Sequence, residues 1–165
     1  MITSLEISNL SDNGLKLPVM EDFYTLQGEG FFSGQAAYFI RLGGCEVGCL
    51  WCDVKDSWDF YKWPLNEVDE LVKRANVYAG KIAVITGGEP THFNLGPLTT
   101  SLQAEGFRTH IETSGVFPIT GQWDWICFSP KKFKEPYPEV FKRADELKVI
   151  VYNNSDLKWA TELAL

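Results

Sequence analysis

Three of the chain's four cysteines, Cys45, Cys49 and Cys52, lie in one run, Cys-Glu-Val-Gly-Cys-Leu-Trp-Cys-Asp. Spacings this short let a single loop point three sulfurs at one centre. Soft thiolates select iron–sulfur clusters, zinc or cuprous ions. Four thiolates would close a structural site. Three leave one corner of a cubic four-iron cluster open, and an open position is where a metal centre does chemistry. A zinc knuckle or disulfides are the other uses of such cysteines, and the loop alone leaves them open. The fourth cysteine, Cys127, sits in the apolar stretch Trp125–Ser129 and reads as a small buried hydrophobe.

The elements that must carry this loop follow from patterning. Pro18–Leu26 has strand character and runs into the flexible Gln27-Gly28-Glu29-Gly30. Ala37–Leu42 is a strand ended by Gly43-Gly44, directly before the first cysteine. Lys81–Thr86, Arg108–Thr113, Trp125–Ser129 and Leu147–Tyr152 read as further strands. Helical spacing appears over Asn66–Ala75, Pro97–Glu105, Pro138–Glu146 and from Asp156 onward. Turn formers at Ser11–Gly14 make Met1–Lys16 a loose or hairpin-like lead-in.

Alternation of this kind predicts an α/β fold with a mainly parallel sheet. The polar and glycine-rich stretches Cys45–Cys52, Gly87–Pro90, Glu112–Gly115, Ser129–Lys131 and Asn153-Asn154 each follow a predicted strand. In parallel sheets and barrels the ends after the strands carry the site, so five loops should converge on one face. A closed eight-stranded barrel needs ~250 residues. With 165 residues, an incomplete, open (β/α) barrel in one domain spanning residues 1–165 is expected.

Composition narrows the functional classes. A net charge of −7 without a Lys/Arg run argues against a nucleic-acid surface. No apolar run reaches the ~20 residues of a membrane span, and Met1–Ser11 lacks a signal pattern, so a reducing cytoplasm is expected.

Glycines in Gly87-Gly88-Glu89-Pro90 allow close backbone approach to a ligand. Arg41 is a permanent cation on an otherwise apolar strand, and its forked guanidinium suits a carboxylate; a structural ion pair is the alternative. Leu26–Gly30, Gly34, Arg41, Gly44-Cys45, Cys49, Trp51-Cys52-Asp53, Thr86–Pro90, Glu112–Gly115, Ser129–Lys131 and Leu147–Val151, in this order, resemble the 7-carboxy-7-deazaguanine synthase family of radical S-adenosylmethionine enzymes. That family belongs to the deazapurine (queuosine precursor) pathway.

The resemblance implies a radical-SAM barrel in which Cys45, Cys49 and Cys52 hold a 4Fe–4S cluster. Trp51, Cys52, Asp53, Gly88, Glu89, Glu112, Ser129, Pro130, Lys131 and Lys148 would surround S-adenosylmethionine. Leu26, Gln27, Gly28, Arg41 and Thr86 would meet a small pterin, 6-carboxytetrahydropterin, which contracts with loss of ammonia. A flavodoxin- or ferredoxin-like electron donor and a homodimer are further implied. Two departures stand out. Many members place a magnesium-contacting Ser or Thr after Cys-Asp, where this chain has Val54. Members also continue past the last predicted strand into a segment that closes the pocket, so the chain reads as C-terminally shortened. Two rival expectations are a glycyl-radical-enzyme activating protein and a non-catalytic iron–sulfur protein or inactive fragment.

Overall fold

The computed structural model describes residues 3–164. Five helices and seven strands run in the order α1 (Ser4–Leu10), β1 (Lys16–Leu26), β2 (Ala36–Leu42), β3 (Leu65–Glu67), α2 (Val68–Asn76), β4 (Ile82–Gly87), α3 (Gly96–Ala104), β5 (Arg108–Thr113), β6 (Trp125–Phe128), α4 (Val140–Arg143), β7 (Glu146–Leu147) and α5 (Asn154–Ala164). All strands form one open sheet, ordered β3-β1-β2-β4-β5-β6-β7. The pairs β2–β4, β4–β5, β5–β6 and β6–β7 are parallel, while β1 runs antiparallel to both β2 and β3.

Strand alternation divides the side chains between two faces. The outer face carries Ile40, Leu42, Ala83, Ile85, Ile111 and Ile126, packed with Ile7 of α1, Leu71 and Ala75 of α2, and Leu98 and Leu102 of α3. Helix α2 shows why it docks there: Val68, Leu71, Val72 and Ala75 fall on one buried stripe, with Asp69, Glu70 and Lys73 turned outward. The inner face carries Ala37, Phe39, Ile82 and Val84, sealed by Phe32 from the β1–β2 loop. Arg41, Thr86, His110 and Glu112 continue this inner set by alternation.

Four elements differ from the sequence expectation. Strand β3 has no counterpart in it: Asn66, the expected start of the helix, pairs with Leu17 of β1, and α2 begins at Val68. The lead-in contains helix α1, started by a capping box in which the Thr3 hydroxyl accepts from the Glu6 N–H and the Glu6 carboxylate accepts from the Thr3 N–H. Met1 and Ile2 of the predicted lead-in lie outside the described residues, as does Leu165 of the last predicted helix. The predicted helix at Pro138–Glu146 is one turn only. The Asp145 N–H donates to Ile126 O, and the Ile126 N–H donates back to the Asp145 carboxylate, drawing the chain onto β6 as β7. The predicted strand Leu147–Tyr152 ends after Leu147. Lys148 N–H makes one more bond, to Phe128 O at 2.8 Å. Beyond it the chain leaves the sheet edge, with Ile150, Val151 and Tyr152 exposed.

Candidate functional site

The chain segments that follow the parallel strands meet around one cavity of about 400 Å³. Its wall takes Arg41 from β2, Cys45, Cys49, Trp51, Cys52, Asp53 and Val54 from the cysteine loop, and Thr86, Gly88 and Glu89 from β4 and its loop. Glu112, Ser129, Lys131 and Lys148 complete it from the three following segments.

The cysteine loop is held by backbone. Gly44 N–H donates to Ser57 O at 2.6 Å, and Glu89 N–H donates to Gly44 O at 3.0 Å, tying the loop to the one after β4. The two loops touch closely: a Cβ on Gly88 would lie 2.4 Å from Gly44 O and 2.9 Å from Cys45 Cβ. Only glycine allows this approach. All three loop thiols are free. Burial pushes the Cys45 thiol up to about 11. It raises Cys49 as well, opposed by the nearby Lys131 ammonium.

Among the described residues, no group of three His, Cys, Asp or Glu side chains is poised to hold a single metal ion. The cysteines instead border open space, which suits a body larger than one ion. Free, partly buried thiols around a ligand-sized cavity fit a cluster, and its binding must expel their protons.

Glu89 shows what the Gly-Gly-Glu-Pro loop does. Its residue is 1% exposed. One carboxylate oxygen accepts from Thr91 N–H at 3.2 Å, Thr91 Oγ1 at 2.7 Å and Thr113 Oγ1; the other accepts from Ser114 N–H at 2.8 Å and Ser114 Oγ. The side chain, expected at the cofactor, is therefore taken up in bracing the β4 loop against the β5 loop. Lys131 is anchored similarly, donating to Ser129 O at 2.7 Å and Ser129 Oγ at 2.8 Å.

Arg41 forms the structural ion pair, and it also lines the cavity. Its Nε pairs with Glu21 on β1 at 2.7 Å, and among the described residues its terminal nitrogens make no hydrogen bond to protein. The guanidinium stem is thus fixed while the fork faces the cavity wall. Glu112 sits beside it on the inner face. It accepts from Thr86 Oγ1 at 3.2 Å and Gln27 Nε2 at 3.3 Å, with Lys148 Nζ at 3.7 Å. Thr86 and Gln27 are two of the residues expected at the substrate, whereas Glu112 itself is expected at the cofactor.

Leu26, Gln27 and Gly28 lie outside the cavity wall proper. Leu26 is exposed, and Gln27 lines a small adjoining pocket with Glu29, His110, Cys127 and Glu146. Pro130 borders a separate hollow with Trp51 and Tyr152. Cys127 is buried, as expected, with its thiol pushed up to about 12 by that burial. Sequence reasoning missed Trp58, which lines the cavity and whose buried Nε1 has no partner among the described residues. No motif marks it; only its place seven residues past Trp51 on the returning segment puts it there.

Comparison with known proteins agrees with this geometry. The sequence profile of the radical SAM superfamily matches residues 39–151. The 7-carboxy-7-deazaguanine synthase of Flavobacterium psychrophilum is 53% identical over 159 residues, covering 96% of this chain and 75% of that protein. The synthase of the same name from Synechocystis is 48% identical, covering 87% of this chain and 69% of its own. The crystal structure of QueE from Escherichia coli superposes with a TM-score of 0.85 at 33% identity, covering 98% of this chain and 80% of that one. The open parallel sheet with a three-cysteine loop after its first parallel strand defines a radical SAM protein. Within that superfamily, the chain belongs to the 7-carboxy-7-deazaguanine synthase family.

Proposed function

We propose that the chain is a radical SAM lyase that converts 6-carboxytetrahydropterin to 7-carboxy-7-deazaguanine with loss of ammonia, in the queuosine precursor pathway. The observation that carries the reading is the 53% identity to a synthase of that name along nearly the whole chain, with the cysteine loop and Arg41 on one cavity. Cys45, Cys49 and Cys52 would hold the 4Fe–4S cluster and leave one iron for S-adenosylmethionine. When bound, the pair supplies one-electron chemistry that removes a hydrogen atom from the substrate.

The chain's own residues do the rest. Gly88, free of a Cβ, lets the β4 loop lie directly against the cysteine loop, so that both border the space the cofactor would take. Lys131, half-buried and braced by Ser129, would supply a cation for the cofactor's carboxylate. The fork of Arg41 receives the substrate carboxylate, and Glu21 keeps the guanidinium from rotating away. Thr86 and Gln27 hold Glu112 toward the substrate. Inner-face apolar residues keep water from the reacting carbon.

Magnesium has few oxygens to use here. Ser57 Oγ donates to Val54 O at 2.6 Å, and Asp56 pairs with Lys62 at 3.0 Å. Asp53 and the substrate remain, so magnesium is at most a weakly held assistant. A flavodoxin- or ferredoxin-like donor and a homodimer belong to the same reading. The test offers reconstituted protein the pterin and, separately, a glycyl-radical protein, and measures 7-carboxy-7-deazaguanine formed from the first and glycyl radical formed on the second. Product from the pterin alone supports the reading; a radical on the protein partner alone replaces it with an activating enzyme.

A further inference from the structure

The β1–β2 loop, residues 27–35, reaches across the open half-barrel instead of standing over its own hairpin. Gln27 N–H donates to Gln35 O at 2.8 Å and Gly34 N–H to Gln27 O at 2.7 Å, which closes the loop at its base. Its far end touches the other side of the sheet. Phe31 N–H donates to the Glu146 carboxylate on β7 at 3.1 Å, and the same oxygen accepts from Trp125 Nε1 on β6, also at 3.1 Å. Phe31 stacks on Trp125 with ring centroids 5.2 Å apart, and Phe32 meets Trp125 edge-on at 4.9 Å. β1 and β7 are far apart in the strand order, so only the curl of the sheet and this loop bring the two sides together.

Gly30 makes the contact possible. Its φ of +67° lies in the left-handed region, and a Cβ there would fall 2.0 Å from Glu146 Oε1. The loop backbone thus lies directly on the carboxylate. Two residues earlier in the chain stands Gly28, then Gln27, whose side chain is held between Glu112 at 3.3 Å and the Glu29 N–H at 3.1 Å. Glu29 in turn pairs with Lys148 at 2.6 Å. The loop's polar anchors beyond its base are Glu112 on β5 and Glu146 and Lys148 at β7, while its rings pack on Trp125 of β6 and, through Phe32, on His110 and on the inner faces of β2 and β4.

We infer that Glu146 is a positioning residue for substrate binding, an anionic latch that fixes the β1–β2 loop across the barrel, at the end where the parallel strands begin, before the substrate arrives. No motif contains it, and among the described residues its side chain bonds to Phe31, Trp125 and Cys127, none of them expected at the cofactor. Its single shared oxygen satisfies two N–H donors from opposite sides of the opening, so its loss frees the loop without opening the cysteine site. The inference rests on the function proposed above for what the loop presents, Gln27 and Gly28 toward a pterin.

The experiment compares Glu146→Ala with Glu146→Gln, which keeps an acceptor oxygen. Amide hydrogen exchange over residues 28–34, measured without cofactor or pterin, should quicken about tenfold or more in Glu146→Ala, the scale of one lost bond to a charged acceptor. In reconstituted enzyme the same variant should raise KM for the pterin about tenfold, with kcat and KM for S-adenosylmethionine moving less than about threefold. Glu146→Gln should restore both readouts to within about threefold. Should Glu146→Ala fail to fold, Gly30→Ala pushes the latch apart from the other side and should give the same split. Unchanged loop exchange, or parallel loss in the Ala and Gln variants, would overturn the latch. Because the exchange measurement needs no substrate, it decides the latch even if the unmodified protein proves inactive on the pterin, a result that would instead refute the proposed reaction.

Discussion

Glu89→Gln separates bracing from cofactor contact more sharply than any other single change. The substitution keeps the side-chain volume and turns one acceptor oxygen into an NH2 group. Both oxygens accept from a buried backbone N–H, of Thr91 on one side and Ser114 on the other. Whichever oxygen is replaced, one of these donors faces another donor. A buried unsatisfied donor costs about 1–3 kcal/mol, and losing bonds to a charged acceptor adds a similar amount. Removing a buried charge recovers part of its desolvation cost. The net loss expected is about 2–4 kcal/mol, or a urea midpoint lower by about 1–2 M at a slope of ~2 kcal/mol per molar. Equilibrium unfolding of the metal-free protein under anaerobic conditions reads this directly. A loss under about 1 kcal/mol, alongside a large fall in S-adenosylmethionine affinity, would refute the bracing role and return Glu89 to the cofactor.

Arg41→Lys keeps the charge but loses the fork whose terminal nitrogens can meet a carboxylate while Nε stays on Glu21, so KM for the pterin should rise about tenfold or more, the scale of one charge-assisted hydrogen bond; unchanged kinetics would make Arg41 purely the partner of Glu21. Turnover should depend weakly on added magnesium, and Val54→Thr, which swaps a methyl for a hydroxyl facing the cavity, should strengthen that dependence at matched cluster content; strong dependence in both forms would point to Asp53. Burial pushes His110 down to about 4 in the folded chain against 6.5 as its ordinary value. The folded state therefore refuses a proton that the unfolded state accepts, so this stability is present above pH ~6.5 and lost as pH falls toward 4, by about 2 kcal/mol between pH 7 and 5. His110→Phe should flatten that part of the unfolding curve, and an unaltered slope would contradict it.

Much of this architecture was readable because its signals are local. Buried strands such as Ile82–Gly87 are apolar runs closed by glycine, and each loop after a strand announced itself by composition. The convergence of four of those loops followed from sheet topology; the fifth stretch, Asn153-Asn154, opens helix α5 instead of following a strand and lies outside the cavity wall. What stayed hidden depends on partners distant in the chain. Leu147–Tyr152 has the apolar pattern of a strand, but a strand needs a neighbour, and past Lys148 the edge offers none. Helix α1 was legible in its Thr3-x-x-Glu6 box, which the turn formers at Ser11–Gly14 overshadowed. The Gly-Gly-Glu-Pro motif marks a ligand loop without saying that the Glu89 carboxylate is bonded to the neighbouring loop. Glu146 carries no motif, and only the curl of the sheet brings it under Gly30.

The most direct test of the proposed activity is an anaerobic reaction of the reconstituted protein with 6-carboxytetrahydropterin, S-adenosylmethionine and a one-electron reductant. Both 7-carboxy-7-deazaguanine and deoxyadenosine are quantified over time. The expected result is 7-carboxy-7-deazaguanine in clear excess over deoxyadenosine, with both lost in Cys45→Ala, Cys49→Ala and Cys52→Ala and retained in Cys127→Ala. A protein with full cluster content that forms deoxyadenosine but no 7-carboxy-7-deazaguanine would contradict it.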